Sequence, residues 1–276
     1  MITDKKESIQ KCYISPDISN KKIIHFIITR FLIEFYKIND FDKIIYKNEY
    51  ILNGFRVMKK YLIPSLENQR CKKFIWILTI GEKNNISYIE SLLNFNSSFE
   101  VKILYYNNTK NFIRNISKKF DILITTRIDY DDRIYYDAIN DVRKAINIKK
   151  PILLYGYNRG LYYYETDNKY YDYYYNFKGN GASSIFLSLI TVLKSVNDIY
   201  TIYDLGVHNN VKKKLLESLK IFGIKELNYE PAIFDSGEPK FVMVRQIYSG
   251  LYNYTKNIQK KLSPFNFDLN KFYGKE

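Results

Sequence analysis

Hydrophobic spacing along the chain is polar over residues 1–22 and then alternates between apolar runs of strand length and stretches of helical period. Residues 23–29 are β-branched and aromatic almost throughout, as a strand buried on both faces requires. Ile51, Phe55, Met58 and Leu62 then fall on one face of a helix over residues 49–62, which Pro64 is expected to end. Strands over residues 74–80, 100–106 and 120–128 alternate with helices over 87–95 and 110–119, a rhythm that predicts βα units and a mostly parallel sheet. Ile134, Ala138, Val142 and Ile146 repeat at i+4, predicting a helix over residues 133–146.

Beyond Pro151 the texture changes. Residues 152–157, 160–165 and 170–177 read as tyrosine-rich strands of mixed or antiparallel sheet, the last two forming a hairpin across Asp167-Asn168. Residues 211–222 read as a basic amphipathic helix stopped at Gly223, and residues 240–246 as a last strand. The expected organisation is a lead-in over 1–22, one catalytic domain over 23–250 and a basic aromatic tail over 251–276. Within the domain the division falls near residue 150.

Asp129-Tyr130-Asp131-Asp132 directly follows the strand ending near Ile128, where open α/β sheets bind their ligands. Three carboxylates within four residues repel one another unless a cation or hydrogen bonds compensate. Divalent Mn²⁺ or Mg²⁺ wants such oxygen ligands and keeps positions open for phosphate. An ordinary explanation stands level with this one: Asp131 or Asp132 caps the helix expected at Arg133, while Arg127 and Arg133 neutralise the rest.

Composition narrows the field only a little. With 46% hydrophobic residues the chain should fold, and its net charge of +14 predicts attraction to phosphates, nucleic acid or an anionic membrane. The lysines are scattered, so much of that charge reads as solvated surface. Cys12 and Cys71 are far apart and show no metal-ligand spacing, which argues against a disulfide framework or zinc site and for a reducing compartment. The N-terminus has no secretory core, and the apolar run around residues 185–193 is too short to span a bilayer, so the expectation is a soluble cytoplasmic protein.

Several separated motifs sharpen the reading: the run His25 to Phe31, Ile63-Pro64-Ser65-Leu66-Glu67-Asn68-Gln69, Phe74-Ile75-Trp76, and Thr126 to Asp132. Together they resemble the putative rhamnosyltransferase family of the GT-A glycosyltransferases, over roughly residues 23–250. The resemblance implies a GT-A-like, Rossmann-type mixed sheet flanked by helices, with a nucleotide-sugar half over about 23–150 and an acceptor half over about 151–250. It also implies a DxD-type motif and transfer of a sugar, rhamnose by the family's name, from a UDP- or dTDP-sugar to a hydroxyl of a glycan acceptor. On this chain Asp129 would contact the ribose or sugar, Asp131 or Asp132 would hold the metal, Thr29 and Arg30 would border the nucleotide, and Arg127 would offset phosphate charge. An Arg127 ion pair with Asp129 or Asp132 remains the competing role.

For the acceptor side, Asp235 and Glu238 are candidates for the base that takes the hydroxyl proton, although either also suits a surface turn. His208 in Gly206-Val207-His208-Asn209 is a candidate metal or diphosphate contact, whereas His25, inside an apolar strand, reads as structural. Arg245 stands where the family pattern leads one to expect histidine, and is a candidate phosphate contact. The basic tail admits peripheral contact with an anionic membrane. A nucleic-acid-binding protein is the rival reading from the charge and aromatics, without a recognisable motif, and a metal-dependent nuclease is a further one. Donor, acceptor, stereochemistry and oligomeric state are not legible in these residues.

Overall fold

The computed structural model describes residues 12–33, 47–174, 186–195, 199–205, 213–214, 217, 232–234, 237–245 and 264–274. Its strands are β1 (Ile23–Phe31), β2 (Ile75–Ile80), β3 (Glu100–Tyr105), β4 (Ile122–Arg127), β5 (Arg133–Ile134), β6 (Ile152–Tyr157), β7 (Arg159–Tyr164), β8 (Lys169–Tyr174), β9 (Leu187–Val192), β10 (Ala232–Phe234), β11 (Phe241–Arg245) and β12 (Pro264–Phe265). The helices are α1 (Asn48–Lys60), α2 (Leu62–Glu67), α3 (Ile86–Leu93), α4 (Tyr106–Ser117), α5 (Ala138–Lys144) and α6 (Leu269–Phe272). Seven strands form one sheet in the order β10-β6-β9-β4-β1-β2-β3, and five form a second in the order β12-β8-β7-β11-β5.

An unbroken apolar run can be a strand only if both faces are covered. β1 meets that condition at the centre of the first sheet, parallel to β2 and β4. Phe26 and Ile28 pack with Ile113 of α4 on one face, while Ile27 and Phe31 join the main core with α1, α2 and α3 on the other. β9 runs antiparallel between β4 and β6, so the mixed character expected past Pro151 is present. The β7–β8 hairpin also forms, with Asn168 supplying the positive φ of 50° that its turn needs. Residues 175–177 of the expected strand and most of the expected helix over 211–222 lie outside the described residues.

The structure corrects three expectations. The first helix ends at Lys60, before Pro64, because Tyr61 leaves helical geometry; Pro64 sits in the first turn of α2, where a missing N–H breaks no intrahelical bond. No helix starts at Arg133: Arg133 and Ile134 form β5 and pair antiparallel with β11, and α5 begins at Ala138. Ile134 is buried as a strand residue, so its i+4 spacing to Ala138 reflects a shared core and not a shared helix. Finally, Cys12 and Cys71 are joined in a disulfide. The strap brings the N-terminal segment onto α5, where Tyr13 N donates to Asn140 Oδ1 and Arg143 Nε donates to Tyr13 O. The argument for a reducing compartment from unpaired cysteines therefore falls. Among the described residues no helix is long and apolar enough to cross a membrane.

The second sheet packs Leu161, Tyr163, Val242 and Val244 against Val57 and Tyr61 of the α1–α2 junction and Phe272 of α6. Glu165, just past β7, holds this junction through Arg56, Lys60 and Tyr61. Burial pushes its carboxyl up, but those three partners together bring it down to about 2. Residues 264–274 of the expected tail belong to the same layer, since β12 pairs with β8 and Tyr136 N donates to Phe272 O.

A buried polar relay crosses the first sheet. His25 Nε2 meets Thr126 Oγ1 at 2.6 Å, and Thr126 meets Ser188 Oγ at 2.6 Å, linking β1, β4 and β9. This bears out a structural role for His25. Burial, with Arg143 nearby, lowers its pKa from 6.5 to about 3. The unfolded chain therefore takes up a proton near pH 6.5 that the folded chain refuses until about pH 3, and acid favours unfolding between those limits. In urea titrations between pH 6.5 and 4, His25→Gln should flatten the loss of stability by up to about 1.4 kcal/mol per pH unit. Identical slopes for the two proteins would refute a buried neutral His25.

Candidate functional site

The acidic turn joins the two sheets. β4 is buried along its whole length and delivers Arg127 to the end of the strand beside Ile28. The chain then reverses, with Asp132 N donating to Asp129 O at 3.2 Å, and enters the second sheet as β5. Val244 N on β11 donates to Asp132 Oδ1 at 3.3 Å. Because α5 starts at Ala138 with Asp137 at its N-cap, Asp131 and Asp132 cap no helix; the other half of the ordinary explanation, neutralisation by arginine, is present as the Arg127–Asp129 ion pair.

The three carboxylates differ in access. Asp132 is 1% exposed and Asp131 8%, whereas the Asp129 side chain is 35% exposed. Burial pushes the Asp131 carboxyl up to about 6, with Arg245 opposing and Asp129 adding to the shift. Asp132 is raised further, first by burial and then by Asp131 and Asp129. Arg245 is itself buried, 5.2 Å from the Tyr162 ring; burial opposes its charge, and Asp132 and Asp131 more than restore it. Arg245 thus serves as counter-charge to the turn from the second sheet.

A basic pair lies on the other side. Arg30, at the end of β1, stacks over the Tyr203 ring at 4.5 Å, and Arg127 lies 5.5 Å from the same ring. Arg127 Nε is 3.7 Å from Asp129 Oδ1, an ion pair too long for a hydrogen bond. Tyr203 OH donates to Ile28 O. Burial carries its phenol up to about 12, against the pull of Arg30 and Arg127 and with a contribution from Asp129. Just beyond Arg30, Leu32 has a φ of 54°, a conformation that costs a branched residue roughly 1–2 kcal/mol. Its carbonyl accepts from Gly81 N, and a Cβ on Gly81 would stand 2.6 Å from that oxygen, so the approach of β2 to this edge requires glycine.

Arg30, Arg127, Asp129, Asp131, Asp132 and Arg245 are therefore gathered at one edge. Thr29 is not: its side chain is fully buried and accepts from Trp76 Nε1 at 3.0 Å, facing the core. Glu238 is exposed at the opposite end of β11 from Arg245. Asp235 and His208 lie outside the described residues. Sequence reasoning missed Tyr203, which lies against both arginines; nothing in its local sequence separates it from other tyrosines.

Among the described residues no group of three or more His, Cys, Asp or Glu forms a ready-made metal cage. The residues present nonetheless fit a hard cation held by one or two carboxylates plus phosphate oxygens. Asp129 is the accessible carboxylate and Asp131 stands buried behind it; burial first, and then Asp129, raise the Asp131 carboxyl, a cost that a nearby cation would oppose.

Comparison with known proteins adds a family. The sequence profile described as putative rhamnosyl transferase matches residues 27–203, well over half the chain. Comparison with curated proteins gave no match. Among solved structures, the chain is similar to the inositol-1-phosphate CTP transferase from T. maritima, at 10% identity over 88% of this chain and 99% of that one with a TM-score of 0.36. It is also similar to a putative glucose-1-phosphate thymidylyltransferase from Bacillus anthracis in complex with a sucrose, at 11% identity, 91% and 99% coverage and a TM-score of 0.42. A putative nucleotide-diphospho-sugar transferase from Desulfovibrio desulfuricans G20 gives 11%, 86%, 95% and 0.37 in the same order. At TM-scores this low, none of the three bears on the chemistry of this chain.

The counter-charge role of Arg245 has a measurable cost. Arg245→Met should destabilise the protein by on the order of 2 kcal/mol in urea unfolding, because Asp131 and Asp132 stay buried without their cation. Adding Asp132→Asn to that variant should recover part of the loss. Simple additivity of the two substitutions would show that the residues do not interact.

Proposed function

We propose that this chain, which belongs to the putative rhamnosyl transferase family, transfers a sugar from a nucleotide-diphosphate donor to a hydroxyl acceptor, with Mn²⁺ or Mg²⁺ at the acidic turn. The observation that carries the reading is the placement of the acidic turn beside the Arg30–Arg127 pair, at the carboxyl ends of β1 and β4. A diphosphate is the ligand that uses both: its oxygens would bind the arginines, and Asp129 and Asp131 would hold the cation that offsets its charge. When bound, the metal would supply charge stabilisation to the departing diphosphate.

The chain's own residues divide the remaining work. Arg30 and Arg127, both set against the Tyr203 ring, orient the diphosphate and take up charge developing on it. Asp129, the most exposed carboxylate of the turn, reaches the ligand directly, and Asp131 stands behind it as the second carboxylate. Asp132 acts by position: its bond from Val244 N fixes the turn between the sheets. Rhamnose is the donor sugar that the family description suggests, with UDP or dTDP as carrier.

A thermal-shift panel of UDP- and dTDP-sugars, with and without Mn²⁺ or Mg²⁺, tests this. A donor at a hundred times its Kd should stabilise the chain by about 2.7 kcal/mol, a rise in melting temperature of a few degrees. Asp131→Ala should abolish the metal-dependent part of the rise while the protein without ligand still melts cooperatively. The reading fails if no nucleotide diphosphate or nucleotide-sugar stabilises the protein under any metal condition.

A further inference from the structure

Lysines that are dispersed along the chain are gathered by the fold at one edge of the first sheet, the edge away from the acidic turn. Lysine doublets stand just before four strands: Lys21-Lys22 before β1, Lys72-Lys73 before β2, Lys118-Lys119 before β4 and Lys149-Lys150 before β6. Those strands all run the same way, because β1 pairs parallel with β2 and β4, and β9 lies antiparallel to both β4 and β6. Every doublet therefore arrives at the same end. β9 runs the other way, finishes there and brings Lys194 with it.

Backbone hydrogen bonds lace these segments side by side. Asp121 N donates to Lys22 O at 2.8 Å, Leu193 N to Asp121 O at 2.9 Å and Val192 N to Pro151 O at 2.8 Å. An open groove of about 580 Å³ continues the edge past the starts of β1, β2 and β3, with Lys72 and Lys73 in its wall. Nine lysines thus stand among four carboxylates, Asp17, Glu67, Glu100 and Asp121, and Glu100 is already paired with Lys102 at 3.0 Å. The surplus is felt locally. The Lys22 N–H first, and then Lys194 and Lys21, hold the Asp121 carboxyl below its ordinary value. Burial brings Lys72 down to about 8 against the pull of Glu67, a cost that an approaching anion would offset.

The chemistry of the edge chooses among polyanions. The row is built of lysine, a point charge that attracts phosphate without the paired geometry by which arginine reads it. Phe74 and Phe99 at the groove are buried, so they offer no face to a stacking base. The row crosses five neighbouring strands, roughly 20 Å at about 4.8 Å per strand, and so presents a line of charge to a flat partner. Ile148, 41% exposed beside Lys149, adds an apolar side chain for the layer beneath a headgroup. A second copy of this chain, bringing the same edge and the same net charge, is repelled.

We propose that this edge is a docking surface for an anionic lipid bilayer, with the lysine row against the headgroup phosphates and the candidate site turned away from them. β1 is nine residues long at about 3.3 Å each, which sets Arg30 more than roughly 20 Å from the docked edge, open to a soluble ligand. The surface uses none of the residues assigned to the donor and stands or falls apart from that reading.

Co-sedimentation of the full chain with lipid vesicles tests it. Vesicles of equal parts phosphatidylcholine and phosphatidylserine should pellet the protein at low salt, vesicles of phosphatidylcholine alone should not, and added salt should release it. Replacing three exposed lysines of the edge together, Lys118→Gln, Lys119→Gln and Lys149→Gln, should weaken binding about a hundredfold, at about fivefold per lysine. Lys47→Gln, Lys83→Gln and Lys169→Gln remove the same charge from exposed positions away from the edge, and should weaken it less than about threefold. All six positions are exposed, so both variants should melt as the parent does. Equal weakening by the two sets overturns the surface, since net charge alone then explains the binding. So does a chain that ignores phosphatidylserine vesicles, or one that binds a single-stranded oligonucleotide more tightly than those vesicles at the same salt.

Discussion

The hydrogen bond from Val244 N–H to Asp132 is short-range, yet it fixes where the two sheets meet. Asp132 belongs to a five-residue turn that leaves one sheet at Arg127 and enters the other at Arg133, so neither end of the turn is free to move alone. Its carboxylate is buried against its own preference and next to two others, and the second sheet answers with a backbone donor and the Arg245 guanidinium. With the inner carboxylates held in this way, Asp129 is left as the outward one. The division of the cluster into anchored and accessible carboxylates is thus a product of sheet packing.

Much of the first sheet is legible in the sequence because its strands are covered on both faces, and continuous apolar runs such as those through Ile27 and Leu123 have few other uses. The position of the acidic turn at a strand end follows from the same pattern. What local pattern does not carry is pairing between distant segments. β5 is two residues long and exists only because β11 is there to accept it, so Ile134 lent false support to a helix that begins four residues later. Thr29 shows the same limit at the site: its strand ends at the ligand edge, but alternation turns its side chain to Trp76 and hands the edge to Arg30. Tyr203 was illegible because its role depends on two arginines more than seventy residues upstream.

The net charge of +14 proves less informative than the order of charges within a few residues. At the candidate site arginines and carboxylates lie side by side, with Arg127 and Asp129 forming an ion pair at 3.7 Å. A uniformly basic face would draw in any polyanion; an alternating one favours those that arrive with a cation.

The Cys12–Cys71 bond closes a covalent ring that contains β1, α1 and α2. A single backbone cut anywhere in that ring would leave two pieces still joined, and a cut after β1 would leave that strand and its arginine tethered to the rest of the chain through sulfur. The disulfide thus makes the integrity of the molecule independent of any one peptide bond between residues 12 and 71.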